Sequence, residues 1–187
     1  MRKPLLALAL VAASARGAPV HLEHQAPATV QQEPGGYELG EVTRVVDGDT
    51  ISVVIDKRVE GPGAGETETG TEYKVRLLGI DTPESVDPRS PVECFGHEAS
   101  AATEALLDGR EVVLIKDVED VDSFDRLLRY VYVGAEMANA RLVVNGYAHA
   151  YTYPPNVRHA DLFVQLQREA RENERGLWSS RGCDSEP

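Results

Sequence analysis

Cysteine is scarce in this chain: only Cys94 and Cys183 occur, so at most one disulfide can brace it. Both would sit in an oxidising compartment if the chain is exported, and a single bridge is then the expectation. Spacing alone leaves two unpaired thiols open. Positive charge is also short, with 19 Lys and Arg against 31 Asp and Glu and a net charge of −12. Such a surface repels phosphate at long range, so any anionic ligand must be held by local groups. A long hydrophobic run is missing too. The apolar stretch from Leu5 to Ala13 ends near Ala15, well short of the roughly 20 residues that span a bilayer. No cysteine follows it to carry a lipid. With Arg2 and Lys3 before it and Ala13 and Ala15 behind it, residues 1–18 read as a secretory signal peptide cut near Ala15 or Ala18. The expectation is an extracellular or periplasmic monomer with no stable membrane association. There is no internal repeat.

What is present fits one soluble domain with appendages: 42% hydrophobic and 27% charged residues in 187. Residues 19–38, containing HLEHQAPATVQQEPGG, lack periodicity and read as a flexible linker. His21 and His24 lie there with no further ligand nearby and receive no role. The domain proper is expected over 39–180, with a tail at 181–187. From Leu39 to Ile55, two β-branched strand pieces flank the turn residues Asp47, Gly48 and Asp49. Residues 61–71 have no apolar anchors and predict a long mobile loop before the strand EYKVRLLGI. GHEASAATEALLDG predicts a helix stopped by Gly109. REVVLIKD and RLLRYVYVG predict two more strands around the acidic VEDVDSFD. A short helix over 138–145 and a last one over about 158–173 follow. The latter is apolar at Leu162, Phe163, Leu166 and Ala170 and ends at Gly176. Five strands and three helices in this order suggest a small α+β fold that is mainly barrel: a five-stranded barrel of the oligonucleotide-binding (OB) type, packed by helices.

Oxygen ligands and positive charge concentrate in DGDT at 47–50, RLLGIDTPE at 76–84 and DSFDRLLRY at 122–130. None is specific alone, since Asp-Gly pairs usually make turns and an Arg on a strand is usually solvated. Together with ECFGHEAS, NARLVVNGYAHAYTYPPN and ARENERGLW, in order from about Gly40 to Trp178, they resemble the staphylococcal nuclease, or thermonuclease, family.

That resemblance implies a Ca²⁺-dependent phosphodiesterase that cuts DNA and RNA at the 5′ P–O bond, leaving 3′-phosphorylated products. It implies that Asp49, Asp81 and the backbone carbonyl of Thr82 hold calcium, with Asp47 behind them. Calcium takes oxygen ligands in loose geometry, and magnesium would find this set less suitable. DGDTISVVIDKR is not a helix-loop-helix calcium loop, because Ile51 and Val53 occupy ligand places. Arg76 and Arg126 fall on the family's phosphate-binding arginines. Their planar forks suit a phosphoryl group gaining negative charge. Glu84 falls on the acid that activates or orients the attacking water. Tyr151 and Tyr153 fall beside the nucleotide, where a ring could stack on a base. Either tyrosine could instead be a half-buried barrel residue. The sequence also departs from the family pattern. Ser123 and Phe124 stand where a lysine and a tyrosine hold a terminal phosphate, which implies a weaker subsite there. Asp125 replaces the usual glycine before Arg126, and would either pair with a cation such as Arg126 or point to solvent. A noncatalytic nucleic-acid or protein-binding module on the same fold is the alternative reading.

Overall fold

The computed structural model describes residues 20, 22, 33–85, 93–180 and 183. The expected signal peptide, His21, His24 and most of the 181–187 tail lie outside the described residues.

The β-branched segments form β1 (Tyr37–Val45), β2 (Thr50–Val59), β3 (Glu72–Leu77), β5 (Glu111–Ile115) and β6 (Leu127–Val133). These five make the barrel. β1 pairs antiparallel with β2 and with β5, β2 with β3, and β5 with β6. The parallel pairing of Val75, Arg76 and Leu77 with Leu127, Leu128 and Arg129 closes the cylinder and leaves no open edge between β3 and β6. Two register shifts along β1, at Leu39/Gly40 and Val42/Arg44, bend the strand that must serve two neighbours. The expected five-stranded barrel is therefore the observed one. Three two-residue strands were too short to show a pattern: β4 (Ile80–Asp81), β7 (Glu136–Met137) and β8 (His149–Ala150).

The barrel is filled by Val42, Ile51, Val53, Val75, Leu77, Leu114 and their neighbours, all buried. Three helices cover it: α1 (Gly96–Leu107), α2 (Ala138–Val144) and α3 (Ala160–Glu172). α2 packs on β6 and touches both other helices, which is why Leu142, Val143 and Val144 are all buried and the segment shows no polar face. α3 buries Phe163, Leu166 and Ala170 at helical spacing and exposes the residues between.

Two expectations change. The linker assigned to 19–38 does not extend to residue 38, because β1 begins at Tyr37 and Glu38 is fully buried. Upstream of it, Glu33 accepts hydrogen bonds from Tyr132 and from Arg158 (2.9 Å). Val20 and Leu22 also pack against the core. The 61–71 loop is pinned rather than free. Ala64 is buried, the Gly65 amide donates to Glu38 Oε1 at 2.7 Å, and the Glu66 amide to Asp120 Oδ2 at 2.7 Å. Apart from Ala64, the anchors are the backbone amides of Gly65 and Glu66, which no side-chain pattern advertises.

Cys94, just before α1, is bridged to Cys183, with Cα atoms 5.6 Å apart across 89 residues. Non-reducing mass spectrometry of the purified protein should find a single Cys94–Cys183 linked peptide. Reduction should then cost up to about 4 kcal/mol of unfolding free energy in the chain-entropy model, measured as a lower denaturant midpoint.

Candidate active site

The turn between β1 and β2 carries the first carboxylates. Asp47 Oδ1 accepts the Asp49 amide at 3.0 Å, and the Val46 amide bonds Thr50 O at 2.9 Å. Helix α1 fixes the turn from behind, because the buried Thr103 hydroxyl donates to Gly48 O at 2.6 Å. Gly48 has to be glycine: a Cβ there would lie 2.6 Å from Thr82 Oγ1. Thr82 lies at that contact, with its amide (3.1 Å) and hydroxyl (3.2 Å) both donating to Asp49 Oδ2.

Arg76 comes from β3, opposite Thr50 of β2. Its Nη1 donates to the carbonyls of Leu77 and Ile80, each at 2.9 Å. Its Nη2 lies 3.0 Å from Asp49 Oδ2 and 2.9 Å from Asp81 Oδ1. One guanidinium thus draws together two carboxylates that are 32 positions apart in the chain. β4 places Asp81 through its pairing with His149 of β8.

Arg126 lies just before β6 and is held by Asp122, the first residue of DSFDRLLRY, to which the motif reading gave no role. Asp122 Oδ2 accepts Arg126 Nε at 2.7 Å and lies 2.7 Å from Nη2. Its Oδ1 accepts the amides of Phe124 (2.9 Å) and Arg126 (3.0 Å). Burial alone would raise the Asp122 carboxyl, but these bonds and the Arg126 charge outweigh it and hold it below the ordinary carboxylate range. Arg126 Nη1 reaches Thr50 Oγ1 at 3.3 Å, and that hydroxyl donates to Asp49 Oδ1 at 3.2 Å. Thr50 therefore links the second arginine to the carboxylates. Asp125 is exposed and sits at φ 59°, the left-handed region where glycine is usual and Asp is tolerated. No ion pair to Arg126 forms there among the described residues, so the carboxylate does not divert it. The acid three positions earlier takes that place.

Glu84 is set by two bonds to the same residue: its carbonyl accepts the Glu93 amide at 2.8 Å, and its own amide donates to Glu93 Oε2 at 3.0 Å. Asp47, Asp49, Arg76, Asp81, Thr82, Glu84 and Arg126, all seven residues assigned to chemistry or metal, line one cleft of about 210 Å³. A second cleft of about 190 Å³ shares Arg76 and Arg126 with it and is lined by Phe124, Tyr151 and Tyr153. The tyrosine loop is tied to the barrel by the Tyr151 amide, which donates to Gly79 O at 2.9 Å. Gly79, at φ 77°, packs on Phe163 so closely that a Cβ would sit 2.1 Å from the ring. Tyr151 and Tyr153 are each about half exposed, at 50% and 53%, and lie outside the five barrel strands, on the segment between β8 and α3.

The donor set suits a hard divalent cation. It offers only oxygen, and the crowding of its carboxylates is visible in Asp47, which burial and then the Asp49 charge push up to about 6. Among the described residues no three His, Cys, Asp or Glu side chains form a ready cage. The acids brought together are a pair, Asp49 and Asp81, which meet at Arg76 Nη2.

Comparison with known proteins agrees with the barrel. The family model described as Staphylococcal nuclease homologue matches residues 74–180. The thermonuclease of Staphylococcus intermedius is 41% identical over 137 residues, covering 73% of this chain and 74% of its own. The thermonuclease of Staphylococcus hyicus is 37% identical over 139 residues, covering 74% and 75%. Endonuclease YncB of Bacillus subtilis is 35% identical over 134 residues, covering 71% and 64%. A closed barrel with this topology, a cleft that gathers acids and arginines from its separate motifs, and similarity across most of two thermonucleases lead to one assignment: this chain belongs to the staphylococcal nuclease family.

Proposed function

We propose that the protein is a secreted, monomeric, calcium-dependent nuclease that hydrolyses phosphodiester bonds of DNA and RNA. The observation that carries this reading is the convergence of Glu84, Arg76, Arg126, Asp49 and Asp81 on one cleft. Asp49, Asp81 and the Thr82 carbonyl would hold calcium, with Asp47 supporting them. When bound, the ion would supply fixed positive charge that offsets the negative charge growing on phosphate. Arg76 and Arg126 bring guanidinium charge to the phosphoryl oxygens, whose charge grows as the pentacoordinate state forms; Arg76 Nη2 and Arg126 Nη1 would exchange their contacts to the carboxylates and to Thr50 for phosphate oxygen. Glu84 accepts a hydrogen bond from the attacking water and orients it in line with the 5′-oxygen. The new bond is water oxygen to phosphorus, and the bond that breaks is phosphorus to the 5′-oxygen. Glu84 takes one proton of the water, and the leaving 5′-oxygen takes a proton from solvent, giving a 5′-hydroxyl and a 3′-phosphate.

The acidic surface adds no long-range attraction, so affinity falls to the cleft itself. A noncatalytic binding module would have no need to keep a water-orienting acid beside two phosphate-facing arginines. Digestion of DNA and RNA should proceed with calcium, stop with a chelator and resume when calcium is restored. Glu84→Gln should lower kcat by about 10²-fold, within the range for loss of a general base. Cleavage unaffected by the chelator would defeat the metal assignment, and 5′-phosphorylated products would defeat the direction of cleavage.

A further inference from the structure

Glu84 is held from outside its own motif. Its carbonyl accepts the Glu93 amide at 2.8 Å, and its amide donates to Glu93 Oε2 at 3.0 Å. The next residue is tied in the same direction, with Ser85 Oγ 2.8 Å from Ser100 Oγ of α1. The packing there is tight, since a Cβ at Gly96 would lie 2.6 Å from Glu84 O. The turn at 93–96 therefore seats the Glu84 backbone, and a shift of that turn moves Glu84 with it.

The turn is itself braced. The Gly96 amide bonds Glu93 O at 3.0 Å. Phe95, at φ 70° where a side chain is disfavoured, stacks on Tyr147 with ring centroids 5.7 Å apart. Between Glu93 and Phe95 stands Cys94, bonded to Cys183. Upstream of Cys183 the chain is anchored: the Leu177 amide donates to Gly146 O at 2.9 Å, the Arg171 guanidinium carbon lies 4.2 Å from the Trp178 ring centroid, and Trp178 meets His149 edge-on at 5.0 Å. His149 belongs to β8, whose pairing places Asp81. The bridge thus joins the turn that seats Glu84 to the end of the chain that packs on the strand behind Asp81. Cys94 is exposed, so a soluble thiol can reach the bond.

We propose that the Cys94–Cys183 disulfide is a redox-sensitive positioning device: closed, it fixes Glu93 and through it Glu84, and opened, it leaves a folded but slow nuclease. The inference rests on the nuclease reading above. A dithiol opens the bond by giving two electrons and two protons, which leaves two protein thiols and a cyclic disulfide in the reductant. With export, the bond closes only in an oxidising compartment, so the full rate is reached after the chain leaves the reducing interior.

The test measures kcat and KM on a DNA strand with saturating calcium for the oxidised protein, the dithiothreitol-reduced protein and the Cys94→Ser/Cys183→Ser variant. Reduction and the double substitution should each lower kcat about tenfold, inside the 10²-fold that a misplacement of about 1 Å can cost, with KM changed less than about twofold. Reoxidation should restore the reduced parent, and the reductant should have no effect on the serine variant. Glu93→Ala, with the bridge intact, should lower kcat by a similar factor, and Glu93→Gln should recover most of it because its amide oxygen still accepts the Glu84 amide. On a Glu84→Gln background, reduction should change kcat less than about twofold. Hydrogen exchange of the Glu84 amide should speed up on reduction while the amides of β2 stay protected, a readout that needs no turnover. Unchanged kcat on reduction, normal turnover in Glu93→Ala, an equal loss on the Glu84→Gln background, or unfolding of the reduced protein by circular dichroism would overturn the proposal. If the oxidised parent cuts no DNA with calcium, the nuclease reading fails instead, and unchanged exchange at Glu84 would still overturn the link from the bridge.

Discussion

Arg126→Ala should lower kcat for DNA hydrolysis by at least about 10²-fold, equivalent to about 2.7 kcal/mol of lost transition-state stabilisation. Of the two arginines it gives the clearer result. Arg76 also holds Asp49 and Asp81 together through Nη2, so its removal disturbs the carboxylate pair as well as the charge on phosphate. Arg126 reaches those acids only through the Thr50 hydroxyl, and its removal should leave calcium affinity within about twofold. Its anchor, Asp122, uses Nε and Nη2 and leaves Nη1, with its long bond to Thr50, turned toward the cleft. Arg126→Lys should recover only part of the loss, since an ammonium keeps the charge and loses the planar fork. Single-turnover kinetics with saturating calcium would measure this, and near-normal turnover in Arg126→Ala would remove the residue from the reaction.

The second large effect concerns folding. Arg129→Met should destabilise the protein by about 3–5 kcal/mol, the typical cost of stranding a buried charge. Arg129 and Glu38 are both fully buried, and Nε and Nη2 meet the two Glu38 oxygens at 3.1 and 2.9 Å. Nη2 also meets Asp120 Oδ1 at 2.6 Å, while Nη1 donates to the carbonyls of Asp120 and Leu128. The substitution leaves Glu38 without a cation beneath the 61–71 loop. The loss should appear as a lower denaturant midpoint with an unchanged slope and a melting temperature down by on the order of 10 °C. Replacing Glu38 and Arg129 together by apolar residues should recover part of it, because no charge then remains buried alone. A loss under 1 kcal/mol in the single variant would show that water reaches Glu38.

Much of the site was legible because its motifs are local. DGDT, RLLGIDTPE and the arginine before β6 each carry their functional groups within a few residues, in turns and strand ends that line one cleft. The supporting groups were less visible. Asp122 holds Arg126 through a turn that depends on the left-handed backbone of Asp125, and no residue type at 125 announces which neighbouring acid will pair. Thr103 supports the DGDT turn from 55 residues away. Glu38 and Arg129 are 91 residues apart, and each alone reads as an ordinary solvated charge on a strand.

The sequence by itself determined the barrel, the three helices, the family and the residues that meet in the cleft. These rest on periodicity and on short motifs whose meaning survives without neighbours. Only the tertiary structure decided how those residues are held: Arg76 drawn between two carboxylates, Asp122 rather than Asp125 on Arg126, a pinned loop over a buried ion network, and Phe124 facing a cleft instead of the core. Each depends on the distance between groups far apart in the chain, and closure of β3 onto β6 sets those distances.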